Sequence, residues 1–408
     1  MRRWNADTSN PGPNLPEVLS APEGLGDGVW LKGDWHMHCR HSTDSSNNPV
    51  RKIIGFAEAQ NYDYLVITDH DVHVQGAVAE HTWADPEYRS NAVMLFYGAE
   101  LTAPRGHVNF FSPEPYDHQR IFDARDARDW TLQALAEELG VHLSANHPNK
   151  SNHYSYSFDI AKSIEVWNTS QWEVNLPNMR IWDDLLLSGR MLGARGGSDS
   201  HHGRPDSPEL ATDKSFEAEG NYVGTPTTWI YAAERSKEAI LVALEQGRAS
   251  ISANPNNPRV ELYASLDGGK SFTLMMGDNA VPTGGEVVFE VRLEGGCFDG
   301  VAYGVRVVKD RSEFGQFYTD PASHSLRFTD TPDPQKRSYY RVEVQFYTDP
   351  ASHSLRFTDT PDPQKRSYYR VEVMGPQTPF PEVPFCMSQS GIMVAISNPI
   401  YFNYDPEF

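Results

Sequence analysis

Short apolar runs and longer amphipathic stretches alternate through the first 250 or so residues. Val29-Trp30-Leu31, Tyr64-Leu65-Val66-Ile67, Val93 to Tyr97, Val141 to Ser144, Ile164 to Trp167, Met191 to Ala194 and Thr228 to Tyr231 have the length and composition of buried strands. Between them, residues 49–60, 130–139, 177–187 and 237–246 space their apolar side chains at helical period, as at Leu132, Leu135 and Leu139. Strand–helix alternation repeated about seven times predicts a parallel sheet, closed or nearly closed as a barrel.

The pattern changes at Ala253-Asn254-Pro255-Asn256-Asn257-Pro258, which reads as a boundary. Beyond it, alternating runs such as Val287 to Leu293 and Val305 to Val308, punctuated by turns, predict a small antiparallel β-sandwich over 259–408. Residues 1–28, rich in Pro, Gly, Asn and Ser, read as a loose arm, leaving 29–254 for the α/β unit. Residues 316–344 recur letter for letter at 345–373. Two undiverged copies are too few for a stacked solenoid. A sandwich has one slot for the strand Ser-Tyr-Tyr-Arg-Val-Glu-Val. One copy is therefore expected to pack and the other to form an extra hairpin or loop.

Metal-ligand residue types follow one predicted strand after another. Leu31 leads to His36 and His38, Ile67 to Asp69 and His70, Tyr97 to Glu100, Ser144 to His147, and Ala194 to Asp199, His201 and His202. In a β/α barrel the C-terminal strand ends converge, so these side chains would meet. Histidine is concentrated in the same half: of 15, 13 precede residue 205.

Composition narrows the function. With 39% hydrophobic and 12% aromatic residues, the chain can bury a core. A net charge of -20 opposes nucleic acid and anionic lipid, leaving a small-molecule substrate as the expected partner. Cys39, Cys297 and Cys386 lie far apart and read as free thiols of a reducing compartment. No apolar run is long enough to span a membrane, and no apolar segment follows the charged start, so a cytoplasmic address is expected. The oligomeric state is left open.

Residues i and i+2 on an extended backbone point the same way, so His36 and His38 can reach one ion, and Asp199 and His201 repeat that logic. Glu100 can bridge two cations through its two oxygens. Pro148 stiffens the loop that carries His147. His36-x-His38, Thr68-Asp69-His70, His147 and Asp199-x-His201, in this order and each at a strand end, resemble the four motifs of the PHP superfamily of metallohydrolases (polymerase and histidinol phosphatase-like). The layout, with a β domain ending in Ala395 to Tyr401, looks like the CehA/McbA branch.

The resemblance implies a distorted (β/α)7 barrel holding two to three divalent ions, zinc, manganese or iron. It implies His36, His38, Glu100 and Asp199 as one ligand set, Glu100, His107 and His147 as a second, and Asp44, His70 and His201 as a third. Asp44 departs from the family spacing: it follows His38 by six positions rather than five, with His41 between. The implied activity is hydrolysis by metal-activated water, with a phosphate ester as the first expectation and a carbamate or carboxylic ester as the alternative. A non-catalytic, metal-stabilised binding or regulatory module is a further alternative, which filled ligand positions oppose. His147, His201 and Asp199 are the expected catalytic residues, with His147 or His201 protonating the leaving oxygen.

Plainer roles are expected for the other polar residues. His41, His73, His81, His118, His142 and His153 read as solvated or core histidines, and His202 stands between the two readings. Asp34 and Asp69 are expected to orient neighbouring imidazoles. Arg105, Lys150, Arg195 and Arg204 read mostly as surface ion pairs, one or two of them available to a substrate anion.

Overall fold

The computed structural model describes residues 28–149, 154–203, 221–281, 285–330, 367–375, 377 and 393–404. The first part runs β1 (Val29–Asp34), α1 (Val50–Ala59), β2 (Tyr64–Ile67), β3 (Met94–Ala103), β4 (Gly106–Ser112), α2 (His118–Asp123), α3 (Asp129–Leu139), β5 (His142–Ala145), β6 (Ser163–Asn168), α4 (Leu176–Ser188), β7 (Gly193–Gly197), β8 (Thr227–Ala232), α5 (Lys237–Glu245) and β9 (Ala249–Ser252). Strands β2, β5 and β6 are buried along their whole length; β2 is an unbroken apolar run, whereas β5 and β6 also bury His142, Ser144, Ser163, Glu165 and Asn168. Helix α1 packs Val50, Ile53, Ile54 and Ala57 inward at helical spacing.

The sheet follows the order β7-β6-β5-β4-β3-β2-β1-β8-β9. The pairs β1–β2, β2–β3, β5–β6 and β6–β7 are parallel. The expected strict strand–helix alternation gives way at β3–β4, an antiparallel hairpin through Pro104-Arg105-Gly106, and β4–β5, β1–β8 and β8–β9 are antiparallel too. Nor is the sheet closed. Strand β7 returns beside β8 and β9, but no ladder joins them. Side chains span the gap instead: Gly196 N–H donates to Thr228 Oγ1 at 2.9 Å, and Asn398 bonds the backbone of Ala194 and Ala249.

The second part contains β10 (Arg259–Ser265), β11 (Leu274–Met275), β12 (Asn279–Ala280), β13 (Val287–Glu294), β14 (Gly304–Lys309), β15 (Ser312–Tyr318), β16 (Ser325–Asp330), β17 (Ser367–Met374), β18 (Met393–Ser397) and β19 (Ile400–Phe402). One four-stranded sheet, β11-β10-β13-β16, packs on a layer containing β14, β15 and β17 around Phe289, Phe314, Phe328 and Tyr369. That second layer is not a separate sheet. Strand β18 pairs with both β9 and β17, so one hydrogen-bonded ladder crosses the boundary read at residues 253–258.

The repeat is used in an unexpected way. Strand β16 and the end of β15 come from the first copy, whereas β17 is the final strand of the second. The Ser-Tyr-Tyr-Arg-Val-Glu-Val strand that packs is the second copy's, while β16 belongs to the first; the first copy's equivalent of β17 and the second copy's equivalent of β16 lie outside the described residues. Residues 331–366 between them lie outside the described residues, as do residues 1–27 of the expected arm.

Candidate metal centre

Strand β1 continues past Asp34 in an extended run whose alternate residues part company. Met37 and Cys39 are buried in the apolar cluster under α1, while His36 and His38 turn the other way. The run is held by a bridge between Met37 and Ser200 and by Asp199 N–H donating to the His36 carbonyl at 2.8 Å. A second bridge couples His70, after β2, to Glu100 on β3. The β3–β4 hairpin sets Thr102 opposite His107, so His107 comes back towards Glu100. His147 and Asp199 follow β5 and β7 with φ of 23° and 52°, left-handed conformations that side chains other than glycine rarely adopt.

Glu100 sits at the centre of the cluster. Its Oε1 lies 3.3 Å from His36 Nε2, 3.2 Å from His107 Nδ1 and 3.3 Å from His147 Nε2; its Oε2 lies 2.8 Å from His70 Nδ1 and 3.6 Å from His38 Nε2. Asp199 Oδ1 stands across from it, 3.3 Å from His36 Nε2, 3.1 Å from His38 Nε2 and 3.6 Å from His201 Nδ1. At the rim, Asp44 Oδ2 is 3.5 Å from His70 Nε2 and 3.6 Å from His201 Nε2, and these two rings approach to 3.3 Å. The fold therefore brings together all nine residues that the sequence pointed to, Asp44 included despite its displaced spacing.

The residues present suit divalent cations. Potential ligand atoms of His36, His38 and Glu100, of His70, Glu100 and His107, and of His38, His70 and His201 each lie within 4.8 Å of one another. His36 Nε2 and His38 Nδ1 are buried ring nitrogens without a well-aligned hydrogen bond, an arrangement that is costly unless something else satisfies them. Imidazole with carboxylate is a donor set for zinc, iron or manganese.

Titration behaviour records the crowding. Burial alone would lower His36, but the charges of Asp199, Glu165 and Glu100 outweigh it and hold the ring well above the usual histidine range. For His70 the same contest, won by Glu100, Asp44 and Asp199, ends at about 9. His38 goes the other way, lowered by burial and then by His201 and His70. Burial would raise Glu100, yet His36, His107 and His70 keep it well below the usual carboxylate range.

Several neighbours differ from expectation. Asp34 and Asp69 bond no imidazole. Asp34 accepts the backbone N–H groups of His36, Ser198 and Gly224, and Asp69 accepts the N–H and thiol of Cys39 and the hydroxyl of Thr82. Arg195, expected in a surface ion pair or at a substrate anion, is wholly buried and bonded to Glu165, Asn146 and Ser144. Glu165 itself, unmarked in the sequence as a site residue, lies 2.9 Å from His36 Nδ1. Asn168, at the end of β6, donates to both Glu165 and Asp199. His118 pairs with Asp71 and His142 with Ser163, away from the cluster, and His41 pairs with Asp85. Arg105 pairs with Asp129. Lys150, His153 and Arg204 lie outside the described residues.

No family profile and no curated protein matches this chain. Among solved structures, a two-domain protein from Bacteroides vulgatus containing a predicted PHP-like metal-dependent phosphoesterase overlays with a TM-score of 0.41 at 17% identity, covering 95% of this chain and 100% of that one. PsfC from Pseudomonas syringae gives 0.36 at 16% identity over 52% of this chain and 87% of its own. A protein from Bifidobacterium adolescentis proposed to be a metal-dependent phosphoesterase gives 0.29 at 17% identity, over 46% and 92%. At these scores the functional reading rests on the site geometry.

Proposed function

We propose that this chain is a metal-dependent hydrolase of the PHP type acting on a phosphate ester. The observation that carries the reading is the position of Glu100, with three imidazoles within 3.3 Å of one carboxylate oxygen and a fourth 2.8 Å from the other. Residues on or just after β1, β2, β3, β4, β5 and β7 contribute to the cluster, a costly gathering that no packing need explains.

His36, His38, Glu100 and Asp199 would hold one ion, Glu100, His107 and His147 a second, and Asp44, His70 and His201 a third. Such ions, zinc, manganese or iron, would supply Lewis acidity and lower the pKa of a water towards neutrality. Asp199 would complete the first of these sets beside His36 and His38. His201, whose side chain is 26% exposed beside a buried cluster, stands at the mouth, where it would deliver a proton to a leaving oxygen if the third ion is not bound there. His147 is the other candidate for that proton, from deeper in the site.

A second reading, hydrolysis of a carbamate or carboxylic ester as in the CehA/McbA branch, is favoured by one observation. Among the described residues, the cation beside the cluster is Arg195, which is wholly buried and donates from each guanidinium nitrogen to Glu165, Asn146 and Ser144.

The test is a parallel assay of an aryl phosphate, a bis-aryl phosphate and an aryl carbamate with manganese or zinc, against His36→Ala. Phosphate turnover that disappears in the variant is expected. Carbamate cleavage without phosphate cleavage would transfer the assignment to the second reading. A protein that binds no metal and turns over none of the three is not a hydrolase of this kind.

A further inference from the structure

Glu165 sits in the middle of β6, its carboxylate wholly buried. Three groups around that carboxylate donate to it, and the His36 ring is the fourth neighbour. Oε1 lies 2.9 Å from His36 Nδ1 and 2.8 Å from Arg195 Nη1; Oε2 accepts the backbone N–H of His147 and the side-chain amide of Asn168, each at 3.0 Å. Arg195 continues the chain of contacts by donating to Ser144 Oγ and to Asn146 Oδ1. Asn146 then donates from Nδ2 to Glu100 Oε1 at 2.8 Å. Since Glu100 lies 3.3 Å from His36 Nε2, the contacts close into a buried ring: His36, Glu165, Arg195, Asn146, Glu100 and back to His36.

The ring has been given room. A Cβ on Gly197 would stand 2.3 Å from Glu165 Oε1 and 2.5 Å from the His36 Cβ, so only glycine lets the two side chains meet there.

We infer that Glu165, anchored by Arg195, is a positioning residue that accepts a hydrogen bond from His36 Nδ1–H and so keeps the ring proton there, leaving Nε2 as the ligand atom beside Glu100 and Asp199. The inference rests on the metal-centre reading above. A buried carboxylate that already accepts from Arg195, the His147 backbone and Asn168 is held ionised and has no proton to give, so the hydrogen shared with His36 belongs to the imidazole. Neutral imidazole carries one ring proton, and fixing it on Nδ1 makes Nε2 the only possible ligand atom. The same carboxylate holds the His147 backbone in its left-handed turn, so one group sets two candidate ligands.

The test uses the full chain with zinc alone, followed by chelator competition and by long-range 1H–15N spectra of the imidazoles. In the zinc-loaded protein, His36 is expected to show a protonated Nδ1 and an unprotonated Nε2. In Glu165→Gln, whose amide must turn an NH2 towards one of the four donors, zinc affinity should fall about 10- to 100-fold. A protonated Nε2 on His36 in the unsubstituted, zinc-loaded protein would overturn the inference, as would a folded Glu165→Gln with unchanged affinity. If that variant does not fold, the ring-nitrogen assignment in the unsubstituted protein decides. Failure of the unsubstituted protein to take up any zinc is a different result: it removes the metal centre and this inference with it.

Discussion

Glu100 Oε1 stands 3.3 Å from His36 Nε2, and both side chains are fully buried. Neither atom could be left in that position for the sake of packing alone, because a buried carboxylate and a buried imidazole nitrogen each require a partner. The contact joins the tip of β1 to the middle of β3 and fixes the geometry from which the other ligands are reached.

Replacing Glu100 with Gln should therefore cost more than the loss of an outer partner. Zinc affinity is expected to fall by more than about 100-fold, beyond the range usual for residues that only orient ligands. Chelator competition on the folded variant measures this. Retention of near-normal affinity would remove Glu100 from the centre of the site.

Asp44 should behave differently. It is 42% exposed at the rim and approaches only His70 and His201 among the expected ligands. Asp44→Asn is expected to lower the metal content by about one ion per chain while the remainder stays bound, as read by elemental analysis after dialysis. Loss of all metal would show that the three ligand sets are not separable.

His142 gives a pH prediction that does not involve metal. Its ring is buried, with Nε2 2.8 Å from Ser163 Oγ, and burial, followed by the charges of Lys162 and Arg195, pushes it down to about 3. The unfolded chain takes up this proton near 6.5, whereas the folded chain resists it until about 3. Stability from this residue is therefore complete above pH 6.5 and drains away as the pH falls towards 3. Between pH 7.5 and 4.5, the unsubstituted protein should lose roughly 2 to 3 kcal/mol more than His142→Gln. Urea unfolding in excess chelator at both values checks this, and parallel pH profiles for the two proteins would sink it.

The repeat makes a simple prediction. Deleting residues 331–359 joins Asp330 to Thr360 and restores a single unit, while every residue of β15, β16 and β17 is kept. The shortened connection should raise stability by about 1 kcal/mol through lower loop-closure entropy, with metal content unchanged. A thermal melt and an elemental analysis suffice. An insoluble product would mean that the deleted residues hold the domain together.

Much of the site was legible because its residues sit where the chain pattern breaks. His36, His70, Glu100, His147 and Asp199 each follow an apolar run, and a polar ligand type at such a place stands out. Glu165 was passed over because it lies inside an apolar strand, and Arg195, though named, was not paired with it. The available signal was the charge itself: a Glu within Ile164-Glu165-Val166-Trp167 must be paired if the strand is buried on both faces. Strand β4 was hidden because Asn109, buried beneath the Trp35 carbonyl, interrupts its apolar run. The open seam between β7 and β9 depends on Asn398, some two hundred residues away, and no local pattern announces such a contact.

His147 and Asp199 hold their side chains on backbone that costs on the order of 1 kcal/mol at each position for anything but glycine. Laboratory evolution for heat resistance alone would find a gain at both positions by discarding the side chain. Selection for thermal endurance and selection for chemistry therefore pull in opposite directions at these two residues, and a lineage that kept the fold but abandoned the reaction should lose them among the first.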